Sequence, residues 1–118
     1  EKDLEKAAKL YKMAAQKGNI HAHNNLGYVQ MVQENHVEAA KSFRAAAEQS
    51  SEDGMYNLAG LYENGLGVEK DLHMAMHYHE QAGLRGHTKA ALAAQRLARL
   101  LENEGAGSSN APRPTDNG

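Results

Sequence analysis

The apolar positions of this chain recur at spacings of three and four residues, which places them on single faces of α-helices. In the segment that follows Asp3, for example, Ala7, Tyr11 and Ala14 fall on one such face. Alanine is abundant and both prolines lie beyond residue 111, so no helix-breaking proline interrupts the chain before that point. The pattern predicts an all-α protein.

One helical pattern occurs three times, beginning at Asp3, Asn35 and Asp71, so that the copies are offset by 32 and 36 residues. Each copy has alanine at +4, usually an aromatic residue at +8, small residues at +11 and +12, and Gly or Ser at +15. The first residue of each is a favoured N-cap type. Gly18 and Gly86 stand where a helix ends in the left-handed conformation. We call these predicted helices B1, B2 and B3.

A second pattern lies between the B helices. Ala22-x3-Leu26-Gly27 matches Gly54-x3-Leu58-Ala59, and a less regular copy runs from Ala90 to about Leu101. The small residues favour close helix crossing. We call these predicted helices A2, A3 and A4. The order B1-A2-B2-A3-B3-A4 predicts a helix-turn-helix solenoid with a period of 32 to 36 residues.

The stretch ENGLGVEKD, residues 63 to 71, is the predicted connection between A3 and B3. Gly65 and Gly67 permit two sharp turns, Val68 is an apolar plug, and Asp71 caps B3. As a phosphate loop it lacks the third glycine of a dinucleotide fingerprint and the G-K-[ST] of a Walker A loop. No predicted strand precedes it, so a helix connection is the preferred interpretation.

The residues around this connection resemble a known family. Leu58-Ala59-x2-Tyr62-x2-Gly65-x-Gly67-Val68-x2-Asp71-x3-Ala75-x2-Tyr78-x3-Ala82 is similar to the Sel1-like repeat, a relative of the tetratricopeptide repeat, and the resemblance covers about residues 2 to 101. It implies a right-handed α-solenoid of antiparallel helix pairs that acts as an adaptor in protein complexes. It implies no catalytic residues. The middle copy departs from the pattern by lacking the glycine-rich loop.

The resemblance divides the chain into a repeat domain over residues 1–103 and a tail over 104–118. The domain comprises a partial repeat 1–19, repeats 20–51 and 52–87, and a C-terminal helix 88–103. The tail has no apolar residue larger than Ala and Pro, so we expect it to be disordered.

Composition removes several classes of function. The net charge of −2 does not favour nucleic acid or an anionic membrane as partner, and no apolar run approaches a membrane span. The absence of cysteine excludes disulfides, cysteine-bound zinc, iron–sulfur clusters and thiol catalysis. The chain begins with Glu1 instead of Met, from which we expect a fragment or a processed product, so the missing targeting signal leaves localisation open.

The chain has seven histidines, and His73 and His77 are spaced to share one metal ion on a helix. A zinc protease motif needs Glu after the first histidine, and Met74 stands there instead. A solvated helix face is therefore the preferred interpretation of this histidine pair. A metal-binding or enzymatic helical domain is the third functional hypothesis, after the two that follow. We predict no cofactor and no catalytic or metal-ligating residue.

The A helices of such solenoids usually line the inner, concave surface. Asn25 and Asn57 occupy equivalent positions there and either bond to a partner backbone or tie neighbouring helices together. The sequence favours a non-catalytic protein–protein interaction module that takes a peptide or helix in this groove. The predicted partner-binding residues are Asn24, Asn25, Tyr28, Tyr56, Asn57 and Arg96.

The alternative is a structural module that self-associates through its end faces. B1 has no preceding A helix to cover its apolar stripe, and A4 is amphipathic. Residues 1–17 are net +2, 34–80 net −6 and 81–99 net +4, which favours head-to-tail stacking unless these are ordinary solvated faces. The predicted self-association residues are Leu4, Leu10, Tyr11, Leu97, Leu100 and Leu101.

Overall fold

Six α-helices make up residues 2–109, the part of the chain that the computed structural model describes. They are α1 (Lys2–Gln16), α2 (Ala22–Val32), α3 (His36–Glu48), α4 (Glu52–Asn64), α5 (Leu72–Leu84) and α6 (Thr88–Ser109). Each helix packs mainly against its neighbours in sequence, and α2 also touches α4. The predicted α-solenoid is confirmed, with α1, α3 and α5 as the B helices and α2, α4 and α6 as the A helices.

The N-terminal ends of the helices follow the sequence only in part. The Asp71 carboxylate accepts a hydrogen bond from the Met74 amide at 3.0 Å, as predicted. Asn35 occupies the N-cap position of α3, but its side chain makes no capping bond. Asp3 lies inside the first turn of α1, so the N-cap prediction is wrong there. The cap that the sequence analysis missed is Ser51, whose hydroxyl accepts from the Gly54 amide and starts α4.

The C-terminal ends agree with the predicted glycines. Gly18 and Gly86 have φ values of 90° and 100°, and Gly65 ends α4 at φ 68°. In the repeat that lacks a glycine, Ser50 takes the same conformation at φ 69°. Glu34, after α2, has φ 61°, so a residue with positive φ follows each of the first five helices and lets the chain turn back.

The last helix is longer than predicted. α6 continues to Ser109, whereas the sequence analysis ended it at 103 and placed a disordered tail from 104. Extending an existing helix adds one hydrogen bond for each residue ordered, and no proline occurs before residue 112 to stop it. Residues 110–118, the rest of the predicted disordered tail, lie outside the described residues.

Small residues let the A and B helices approach closely. Three large side chains, Phe43, Leu58 and Leu97, are fully buried, and most of the other buried apolar residues are alanines. A Cβ atom on Gly27 would lie 2.5 Å from the Phe43 ring, so α2 and α3 reach this spacing only because residue 27 is glycine. Their contact also includes a buried hydrogen bond of 2.6 Å from the Ser42 hydroxyl to Gln30.

The connection between α4 and α5 joins two successive repeats. Leu66 and Val68 pack against the core, as predicted for the apolar plug. Gly67 has φ 73°, and a Cβ atom there would overlap the His36 carbonyl at the start of α3. The two glycines therefore serve a tight helix connection, which confirms the preferred interpretation of this stretch.

Gly67→Ala should destabilise the protein by at least about 1 kcal/mol more than Gly18→Ala. Both glycines have positive φ, but a Cβ on Gly18 meets nothing within 4 Å. The difference in the free energy of unfolding, measured by urea denaturation, isolates the overlap with His36. Equal losses would mean that the loop does not press against α3.

Candidate functional site

The A helices enclose a concave pocket with a volume of about 380 Å³. Its walls come from α2, α4 and α6, with α3, α5 and the α4–α5 connection behind them. The residues that line it are Tyr28, Met31, Phe43, Tyr56, Asn57, Gly60, Leu61, Glu63, Asn64, Leu66, His79, Ala93 and Arg96. Four of the six predicted partner-binding residues, namely Tyr28, Tyr56, Asn57 and Arg96, are brought together here.

The repeat explains why the pocket lies where it does. With offsets of 32 and 36 residues, Tyr28, Gly60 and Arg96 are the same position in the three A helices. At this position α2 presents the Tyr28 ring and α6 the Arg96 guanidinium, while α4 has a glycine and therefore no side chain. The pocket is the space above Gly60 between Tyr28 and Arg96.

Asn57 is engaged within the protein. Its amide nitrogen donates to the Asn24 carbonyl oxygen at 2.8 Å, and its own oxygen accepts from the Tyr28 hydroxyl at 3.4 Å. Asn24 is buried, and Asn25 is half-buried and does not line the pocket. These bonds tie α2 to α4, which is the structural role considered for Asn57. Of the predicted asparagine pair, Asn57 lines the pocket and Asn25 does not, and contact of Asn57 with a partner stays a prediction.

A charged cluster closes the other side of the pocket. Arg96 of α6 donates to Glu63 of α4 at 2.8 Å, and the His79 Nε2 of α5 lies 3.7 Å from the same carboxylate. Hydrogen bonding from Arg96 holds the pKa of Glu63 below its ordinary value of 4.5. Sequence reasoning missed Glu63, although its position three residues after Gly60 on α4 placed it on the same helix face.

His79 is the buried histidine of the cluster, with a relative exposure of 2%. It occupies the +8 position that Phe43 fills in α3, so its ring replaces a core aromatic. Its Nδ1 is buried without a hydrogen-bond partner among the described residues. Burial lowers the pKa of His79 from its ordinary 6.5, and the Glu63 carboxylate only partly opposes that shift.

Tyr56 is held by two histidine rings and not by a ligand. It stacks on His87 with ring centroids 4.4 Å apart and meets His79 at 5.3 Å. His87 in turn lies 3.3 Å from the Asp53 carboxylate, and its Nδ1 accepts from the Ala90 amide at the start of α6. Tyr56 therefore positions α6 against α4 and offers only one side to the pocket.

The predicted self-association residues divide into exposed and buried sets. Leu10 and Leu100 are exposed, while Leu4, Tyr11 and Leu101 are half-buried. Leu97 is only 1% exposed and packs with Ala59 and Ala75, so its assignment to a contact surface is wrong. Leu97 lies on the face of α6 that packs against α4 and α5, so it belongs to the core.

The remaining chemistry is sparse. His73 and His77 are exposed on α5, which agrees with a solvated helix face. Within residues 2–109, no three His, Cys, Asp or Glu side chains are placed to hold a metal ion. No helix in the described part of the chain combines the length and hydropathy needed to cross a membrane.

Comparison with known proteins finds one family and several relatives. The Sel1 repeat model matches residues 1–19, 20–51 and 52–87. The ERAD-associated E3 ubiquitin-protein ligase component HRD3B of Arabidopsis thaliana is 35% identical over 92 residues, which are 75% of this chain and 15% of that protein. HRD3 of Candida glabrata, described in the same words, is 33% identical over 75 residues, 64% of this chain and 9% of that protein. Protein sel-1 homolog 2 of Mus musculus is 35% identical over 78 residues, 62% of this chain and 11% of that protein. The chain therefore spans only a small part of the relatives that it matches.

His79→Phe should flatten the dependence of stability on pH. Since the folded state holds the pKa of His79 below 6.5, the unfolded state binds more protons below that pH, and acidification destabilises the native protein. Between about pH 7.5 and 5.5 the thermal midpoint of the variant should fall less than that of the unmodified protein. His77→Phe on the exposed face is the matched control. An equal fall for the His79 variant would contradict the assignment of a neutral, buried ring.

Proposed function

Because the chain belongs to the Sel1 repeat family, we propose that it is a non-catalytic adaptor domain that binds a segment of a partner protein. The binding surface is the concave side of α2, α4 and α6. The observation that carries this proposal is the pocket of about 380 Å³ to which all three A helices contribute. Pockets with apolar walls and few polar groups are typical of ligand and peptide sites.

The side chains of this surface support recognition of a polypeptide. Tyr28 is 50% exposed, and it rests edge-on against Phe43 with centroids 5.7 Å apart, so its ring is held in place before a partner arrives. Aromatic and arginine side chains supply much of the binding energy at protein interfaces. Arg96, which is 53% exposed, adds a charge at the opposite side of the pocket.

The names of the relatives give this proposal a context. HRD3 of Candida glabrata and HRD3B of Arabidopsis thaliana are each described as a component of an ERAD-associated E3 ubiquitin-protein ligase. We infer a corresponding role for this chain as a binding component of a larger protein assembly. Within residues 2–109 the one buried histidine, His79, lies tilted against Tyr56 with ring centroids 5.3 Å apart and faces a carboxylate that Arg96 already holds, which suits a structural cluster.

A second candidate function is self-association, and one observation favours it. Ala7, Tyr11 and Ala14 of α1 are half-buried, whereas the equivalent residues of α3 and α5 are buried. Leu10 and Met13 of the same helix are 58% and 50% exposed. At the other end, a groove of about 570 Å³ lies between α5 and α6 and is lined by Glu80, Gln81, Gly83, Leu84, Ala91, Ala94, Gln95 and Ala98. In this candidate α1 of a second copy occupies that groove.

The adaptor proposal predicts that peptides selected from a random 12-residue display library on the 118-residue protein bind through the concave surface. Tyr28→Ala should weaken the most enriched peptides about tenfold, since exposed aromatic anchors commonly contribute more than 1 kcal/mol. Fluorescence anisotropy measures the affinity, and a melting curve checks the fold. His77→Ala on α5 is the control and should change nothing. Failure to select any binder, or binding that depends on His77 instead of Tyr28, would contradict the proposal.

The self-association candidate predicts a mass that rises with concentration. Light scattering from micromolar to near-millimolar protein measures it. Leu10→Lys should return the protein to the monomer mass, because it places a charge in the apolar face of α1. A constant monomer mass over the whole range would remove this candidate and leave the concave surface as the functional one.

A further inference from the structure

Gly60 lies in the interior of α4, where glycine destabilises a helix relative to alanine. The described part of the chain gives no packing reason for it. A Cβ atom built on Gly60 meets nothing within 4 Å, whereas one on Gly27, Gly54 or Gly83 would press into a neighbouring helix. The bare backbone at Gly60 opens instead toward the concave pocket, of which it forms the floor.

The geometry points to a specific occupant. We propose that the space over Gly60 receives one large apolar side chain of a partner peptide, and that Arg96 binds a carboxylate of the same peptide. This inference rests on the adaptor function proposed above and adds the chemistry of the segment that is recognised. The surface thus selects an acidic-apolar segment and not any exposed chain.

The walls of the space support the apolar half of this proposal. Met31, Phe43, Leu61 and Leu66 line it beside the Tyr28 ring. The polar groups nearest to Tyr28 are already paired, because Asn57 bonds to both Asn24 and Tyr28. A polar side chain from the partner would lose its water at this wall without gaining a new hydrogen bond, while an apolar one loses nothing.

The charges support the acidic half. Among the described residues, Glu63 is the only acid that lines the pocket; it is 22% exposed, and Arg96 and His79 both face it. Arg96 is 53% exposed, and a guanidinium has five N–H donors, so it has the capacity to bind a second carboxylate while it holds Glu63. A partner ammonium would have to approach the less exposed Glu63 beside the Arg96 guanidinium, whose like charge repels it.

The stretch of α6 beside the pocket has the same sign, and the acids of that helix, Glu102 and Glu104, follow six and eight residues after Arg96. Lys89, Arg96 and Arg99 are spaced by seven and three residues, which puts three cations on one helix face. The acids of α4 other than Glu63 are Glu52 and Asp53, which begin that helix about two turns before Gly60. Asp53 already lies 3.3 Å from His87. A partner carboxylate near Arg96 therefore meets a net positive edge.

The test uses the same 12-residue display library, selected on the 118-residue protein. We expect the enriched peptides to combine Leu, Ile, Phe or Met with Asp or Glu at a constant spacing. Gly60→Leu should weaken them at least tenfold, because its side chain occupies the pocket, and should leave the melting temperature equal or higher. Its control is His73→Leu, which adds the same side chain at an exposed position of α5 outside the pocket and should leave affinity unchanged.

A second pair of variants tests the charge. Arg96→Gln should weaken the enriched peptides about tenfold and reduce the dependence of their affinity on salt. Arg85→Gln, which removes an exposed charge at the end of α5 that does not line the pocket, should leave affinity within about twofold. Enrichment of Lys or Arg in place of Asp or Glu would overturn the assignment of an acidic partner.

The outcomes separate this inference from the function on which it rests. If Tyr28→Ala weakens the peptides and Gly60→Leu does not, the adaptor surface stands and the pocket over Gly60 is refuted. If neither variant weakens them, or if no peptide is enriched, both proposals fail. Loss of binding in Gly60→Leu together with a native melting curve supports both.

Discussion

The close crossing of A and B helices is the constraint on which the rest of this structure depends. Gly27 against Phe43, and Gly54 against Ala46, leave no room for an added methyl group. Such small residues stand beside large aromatic ones, so α3 and α5 each pack closely between two A helices. The repetition of that contact places α2, α4 and α6 side by side, and only this alignment creates a shared concave surface.

Side-chain hydrogen bonds and an ion pair between the A helices hold this surface together. Asn24 and Asn57 join α2 to α4, and Glu63 with Arg96 joins α4 to α6. These bonds occupy the polar groups that a sequence comparison would most readily assign to a ligand. What they leave exposed is a bare stretch of backbone at Gly60, the Tyr28 ring and the outer edge of Arg96. The proposed binding surface consists of these three exposed groups, which the hydrogen bonds between the A helices leave available.

Much of the fold could be predicted from the sequence because the relevant signals are local. The offsets of 32 and 36 residues, the glycines at helix ends and the Gly65–Gly67 connection each depend on a few adjacent residues. The site was harder. The pairing of Asn57 with Asn24 depends on the rotation of α2 relative to α4, which no local pattern encodes. For the same reason Leu97 was assigned to the surface and the burial of His79 was not predicted, since the surroundings of both residues come from several helices.

The capping residues show the limit at smaller scale. Asp71 caps α5, whereas Asn35, an equally good N-cap type, makes no capping bond at the start of α3. Ser51, which the sequence analysis did not single out, caps α4. Residue type therefore predicts where a helix is able to begin, and the packing of the neighbouring helices decides which side chain completes it. The length of α6 was also missed, because a helix continues without any particular sequence signal until a residue stops it.

The measurement that tests the central claim most directly is a map of backbone amide chemical-shift changes by NMR when the protein is titrated with a library-selected peptide. The account predicts that the largest changes fall in α2, α4 and α6, around Tyr28, Gly60 and Arg96, while the exposed faces of α3 and α5 stay unchanged. Changes confined to the B helices, to the exposed face of α1 or to the groove between α5 and α6 would contradict it.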